Sequence, residues 1–115
     1  MSRHQLARWA FWALATAITV LSLTPVEHLP PQVFDWWDKA QHALGFALLT
    51  ITARLAYPAA PGNSLWVGLL LQGAAIELAQ AASGWRHGDV ADWIADAVGV
   101  GIGWILLAAA QRRAQ

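Results

Sequence analysis

Cysteine is absent from the 115 residues. Disulfides, thiolate nucleophiles and zinc–thiolate sites are therefore excluded. Charge is scarce as well. Asp, Glu, Lys and Arg make up 12% of the chain, against roughly 25% in an ordinary soluble domain. Seven basic residues balance seven acidic ones, so no face is basic enough for nucleic acid. There is no internal repeat and no low-complexity tail, and the length fits one domain. What is abundant is apolar surface, at 57% hydrophobic residues. A short chain leaves a large share of its surface exposed and cannot hide so much in its own core. It needs lipid or a very large partner around it.

The apolar residues fall into four runs, about 6–23, 40–57, 64–82 and 91–110. Each is near the roughly 20 residues that cross a hydrocarbon core. A spanning segment must satisfy its own backbone, so helix is the form expected, and four runs cannot close a barrel. Proline and glycine punctuate the gaps: Pro25, Pro30 and Pro31, then Pro58, Pro61 and Gly62, then Gly84 and Gly88. The expected fold class is all-α, a single-domain bundle of four transmembrane helices. Arg3 and Arg8 before an apolar run resemble a signal peptide. The following Ser22-Leu23-Thr24-Pro25-Val26-Glu27 carries no small-x-small cleavage pattern, so an uncleaved first span is expected.

Charge sets the expected orientation. With four spans, Arg3, Arg8, Arg54, Arg112 and Arg113 share one side and Lys39 and Arg86 the other. The positive-inside rule makes the first side cytoplasmic, with both termini in the cytoplasm of a bacterial cell (inner) membrane. All seven acids (Glu27, Asp35, Asp38, Glu77, Asp89, Asp92 and Asp96) belong to the outer half. Trp9, Trp12 and Trp66 lie near inner ends, and Trp36, Trp37, Trp85 and Trp93 near outer ends, the levels amphipathic rings prefer. Arg54 is expected to snorkel to the inner surface, and His4 and His28 to lie in exposed loops.

Three spans bring polar groups to one outer layer. The second opens with Asp38, Lys39, His42 and Phe46, of which 38, 42 and 46 share a helical stripe. The third ends with Glu77 and Gln80, on one face with Gly73 and Gly84. The fourth opens with Asp89, Asp92 and Asp96, followed on that stripe by Gly99 and Gly103, a small-xxx-small pair suited to close helix packing and secondarily to an oligomer. Arg86 and His87 sit in the turn between. His42, Glu77 and Asp96 fall about 4–8 Å inside the boundary at a rise of about 1.5 Å per residue.

Ionisable groups at membrane depth need partners and mark functional sites by default. Asp38, Glu77, Asp89, Asp92 and Asp96 face two fixed cations, Lys39 and Arg86. The excess calls for a bound cation, a proton kept on a carboxyl group, or exposure of Asp38 and Asp89 to water. A purely structural layer would pair Glu77 with Arg86 and His42 with Asp92, with Asp38 and Asp89 as ordinary helix-start charges. No cofactor is expected from the motifs. A divalent metal is the fallback, on His42, Glu77, His87 and Asp92, without the compact helical His-Glu signature of metalloproteases.

The order Asp38-Lys39-x-x-His42-x-x-x-Phe46, then Glu77-x-x-Gln80, then Arg86, Asp92, Asp96, Gly99 and Gly103 resembles the VanZ-like family of small bacterial membrane proteins. The resemblance covers about residues 35–103. It departs at Asp96, where the family usually has Asn. It implies a multi-pass protein of the cell envelope and an association with glycopeptide antibiotic resistance.

Three functional expectations follow. In the first, the outer pocket binds a lipid headgroup or lipid-linked cell-wall precursor through Asp38, Lys39, Gln80, Arg86, Asp89, Asp92 and Asp96. In the second, the chain is a membrane hydrolase or transferase with His42 or Glu77 as general base, tuned by burial. The third, a small proton-coupled transporter, is disfavoured because the inner half offers little beyond Thr50, Thr52, Arg54 and Gln72 to continue a polar path.

Overall fold

A computed structural model of the chain describes residues 1–25, 36–85 and 89–114, with 36–38 described by backbone alone. The secondary structure of these residues is entirely helical: α1 (Arg3–Leu23), α2 (Trp36–Ala56), α3 (Gly62–Ser83) and α4 (Val90–Ala114). Each helix covers one of the four apolar runs, extended into its polar flanks.

Local chemistry sets the ends. Ser2 caps α1, its hydroxyl accepting from the Gln5 amide at 3.1 Å while the Gln5 side chain accepts from the Ser2 amide at 2.8 Å. This reciprocal box satisfies two backbone donors that a helix start leaves over. Gly84 ends α3 at φ 82°, a left-handed conformation that costs glycine little. Asp89 opens α4, its carboxylate accepting from the Ala91 amide at 2.8 Å.

Three helices, α1, α3 and α4, are long and apolar enough to cross a membrane. The 21-residue α2 is as long as α1 but does not meet that test. Its first turns carry Asp38, Lys39, Gln41 and His42 and its last turn Arg54, which dilute the apolar content. Yet α2 is the most enclosed element. Phe46, Ala47, Leu49, Thr50, Ala53 and Ala56 are all buried. All four helices also turn large apolar side chains outward, among them Trp9, Leu44, Leu71 and Ile105.

The most extensive packing joins α2 to α4, two helices that run in the same direction. Glycine makes this contact. A Cβ at Gly99 would lie 2.2 Å from the Ala43 carbonyl oxygen, and one at Gly103 2.6 Å from Thr50 Cβ and 2.9 Å from the Ala47 carbonyl oxygen. Gly101 faces open space. Gly99 and Gly103 are therefore occupied within one chain, and Phe46 beside them is fully buried.

At the end of the bundle formed by the start of α1 and the loop 57–61, cations close the backbone. His4 Nδ1 lies 3.0 Å from the Leu55 carbonyl oxygen, and Arg8 Nε donates to the Ala56 carbonyl at 3.0 Å. Arg54 donates to the Pro58 and Ala60 carbonyls at 3.0 and 2.8 Å and lies over the Trp104 ring. One correction follows. His4 is exposed as expected but is a helical residue against the end of α2, not a loop histidine. Arg54 reaches the carbonyls of the α2–α3 connection.

Candidate functional site

The opposite end collects the acids. Lys39 Nζ lies 3.0 Å from Asp92 Oδ1 and 3.3 Å from Asp89 Oδ2. One turn further along α2, His42 Nδ1 meets Asp96 Oδ1 at 2.7 Å. These contacts pair residues four apart on α4 with residues three apart on α2, as two parallel helices in register require. The glycine contact fixes that register. Gly99, one turn beyond Asp96, lets the α4 backbone close on Ala43, which follows His42.

α3 supplies the third wall. Glu77 Oε2 accepts from the Asp89 amide at 2.8 Å, so it ties the end of α3 to the start of α4. Gly73, one turn before Glu77, is the notch that admits Asp96. A Cβ there would sit 2.8 Å from Asp96 Oδ2 and 3.3 Å from Trp93 Cδ1. Trp93 donates to the Leu70 carbonyl at 3.0 Å and holds α4 against this same turn. Asp89, at the helix start, has its carboxyl held below the ordinary carboxylate range by the Ala91 amide, with Lys39 adding to the effect.

Burial is uneven. Asp96 is fully enclosed at 0% exposure, Glu77 is 9% exposed, and the Lys39 side chain is 47% exposed. Two carboxylate oxygens in this layer, Glu77 Oε1 and Asp96 Oδ2, are buried with no hydrogen-bond partner among the described residues. A buried charged oxygen without a partner is expensive. Here there are two, and His42 bonds the other oxygen of Asp96. His42, Glu77 and Asp96 each offer a ligand atom within 4.8 Å of the others.

The expected site residues separate into groups. Lys39, His42, Glu77, Asp89, Asp92 and Asp96 converge. The histidine's aspartate is Asp96, while Asp92 goes to Lys39; among the described residues His42, Glu77 and Asp96 are the three that could hold a metal ion, and the expected set that includes His87 extends beyond the described residues. Gln80 is fully buried but turns to α1, donating to the Ser22 carbonyl at 2.7 Å. It acts as a clamp between helices, alongside Trp85 Nε1, which donates to the Leu23 carbonyl at 2.9 Å. The side chain of Asp38, and Arg86 and His87, lie outside the described residues. Sequence reasoning missed Ser22 and the spatial role of Gly73. A lone serine at the end of an apolar run carries no signal, whereas a glycine one turn before an intramembrane acid does.

No protein-family model, no curated protein and no solved structure matches this chain.

Proposed function

We propose that this chain is a multi-pass protein of a bacterial cell membrane, similar to the VanZ-like family, whose acidic end faces outward and receives a lipid headgroup or a lipid-linked cell-wall precursor. Support for four spans, with both termini cytoplasmic, comes from three helices long and apolar enough to cross a membrane, from the similar length of α2, and from the gathering of five basic residues at the other end. The observation that carries the reading is the pair of partnerless buried oxygens on Glu77 and Asp96. With the partnerless Gln80 Oε1 one turn further along α3, they leave acceptor capacity in this layer.

The geometry narrows the ligand. Lys39 is engaged by Asp89 and Asp92, so among the described residues no cation stands ready for an anionic group. The layer accepts hydrogen bonds, and it suits a ligand that presents an ammonium group or hydroxyls. A connection to glycopeptide resistance rests on the family resemblance alone. Topology is tested by reporter fusions at residues 32, 60 and 87, expected outside, inside and outside. An inside result at 87 would reverse the placement. Ligand class is tested by titrating the protein in nanodiscs with phosphatidylethanolamine, phosphatidylglycerol and a polyprenyl diphosphate. Preference for the ammonium lipid, weakened in Glu77→Gln, is expected. Equal response to all three lipids in both proteins would refute a headgroup site.

A second reading is favoured by the His42–Asp96 contact at 2.7 Å. A carboxylate that orients an imidazole makes a general base. A hydrolase or transferase acting on a lipid-linked substrate would lose turnover in His42→Ala while keeping substrate binding, and loss of both together would count against catalysis.

A further inference from the structure

We propose that His42, Glu77 and Asp96 form a binding site for one first-row divalent cation, with zinc the best fit.

The case begins with the donor set. One imidazole and two carboxylates come from three different helices, and each offers a ligand atom within 4.8 Å of the other two. Zinc bonds of about 2.0–2.2 Å put tetrahedral ligand atoms roughly 3.4 Å apart, so a modest inward movement of the carboxylates closes the site. Nitrogen with oxygen ligands suits zinc or manganese; calcium and magnesium favour oxygen alone. Three protein ligands also leave a coordination position open, as in sites that engage a further molecule.

The second, independent observation is the state of the oxygens. Asp96 is fully buried and Glu77 nearly so, and each has one oxygen buried without a hydrogen-bond partner among the described residues. The hydrogen bonds they do make occupy their other oxygens: Asp96 Oδ1 meets His42, and Glu77 Oε2 takes the Asp89 amide. Glu77 is thus oriented by the backbone from the outer shell, which fixes a first-shell ligand. Gly73 adds to this, since its missing Cβ leaves the space beside Asp96 Oδ2 open.

Charge points the same way. Among the described residues, two buried carboxylates against one histidine leave a negative layer even with the imidazole protonated, and Lys39 is turned to Asp89 and Asp92. A divalent cation neutralises both carboxylates and needs the imidazole neutral, so binding releases whatever protons the three groups hold. It also cancels the charge of the two carboxylates and leaves one coordination position open to an oxygen ligand. The cation site itself stands whether or not a lipid binds.

The test uses the full chain purified in detergent, stripped with chelator and titrated with zinc, manganese and magnesium chlorides, with bound metal counted after gel filtration. One zinc per chain is expected, magnesium not competing. Glu77→Gln and Asp96→Asn, which keep size and shape, are expected to weaken zinc binding by at least about tenfold, the scale at which even outer-shell changes act. Arg54→Ala, at the opposite end of the bundle, is expected to bind as the parent does. No zinc retained by the parent chain, or equal retention in both acid variants, would overturn the site. Should the variants fail to fold, nitrogen NMR of the parent chain decides: zinc must shift the His42 ring signals, and unshifted signals at saturating zinc would also overturn it.

Discussion

The two ends of this bundle treat charge in opposite ways. At the basic end three side chains meet backbone carbonyls: His4 with Leu55, Arg8 with Ala56, and Arg54 with Pro58 and Ala60. The last carbonyls of a helix have no partner within it, and cations at that end also complement the helix dipole. These contacts tie the helix ends and the α2–α3 connection together. At the acidic end the charges meet one another across helices, and two buried oxygens remain over. Similar numbers of charges therefore make a structural seal at one end and a site at the other. Burial and partner type separate them, not charge density.

The largest expected effect breaks the acidic end alone. Gly99→Val forces a side chain into the Ala43 carbonyl and should destabilise the protein by about 3 kcal/mol, the upper range for overpacking, while Gly101→Val, facing open space, should leave stability within about 0.5 kcal/mol. Unfolding midpoints in detergent compare the two, and equal effects would show that the α2–α4 contact is not the one described.

That prediction also marks what could be read from the sequence. Four apolar runs, the acid-rich layer and its residues from three helices are visible because hydropathy and 3.6-residue spacing are properties of each segment alone. The choice of Asp96 over Asp92 as the partner of His42 depends on how far α4 is shifted along α2. That shift comes from glycine-to-carbonyl contacts between segments more than 50 residues apart in sequence, and no single run displays it. The burial of α2 was hidden for the same reason. Its polar turns lower its apparent fitness for a membrane, but α4 meets those turns with acids of its own. Gln80 looked like part of the layer because it shares a face with Glu77, and only the position of α1 shows that it turns to Ser22.

A smaller effect is expected at the basic end. Arg54→Ala removes two charge-assisted hydrogen bonds to loop carbonyls and should cost about 1–2 kcal/mol, without changing zinc retention at the acidic end. A change in zinc retention would mean that the two ends are coupled.

Lys39→Ala should cost less still, at most about 1 kcal/mol, because half-exposed ion pairs are weak and are screened by salt. Raising the salt concentration should shrink the difference between Lys39→Ala and the parent, whereas the Arg54→Ala difference should largely persist.

The smallest effect concerns Asp89. Its carboxyl is held below the ordinary value of 3.8, so the stability it adds is fully present above that value and is lost as pH falls below it. Acid titration of Asp89→Asn against the parent should show the two curves converging only under those acidic conditions. Convergence near neutral pH would contradict the shift.

The parallel pairing of α2 with α4 has a consequence for how the protein is made. A ribosome delivers α2 well before α4, with α3 in between, so the helix least suited to lipid emerges without the acids that match Lys39 and His42. In the proposed four-span topology its final seating waits for the last segment of the chain. Early truncation would therefore harm a helix that is already complete, and quality-control proteases would meet a chain ending after α3 as a defective one.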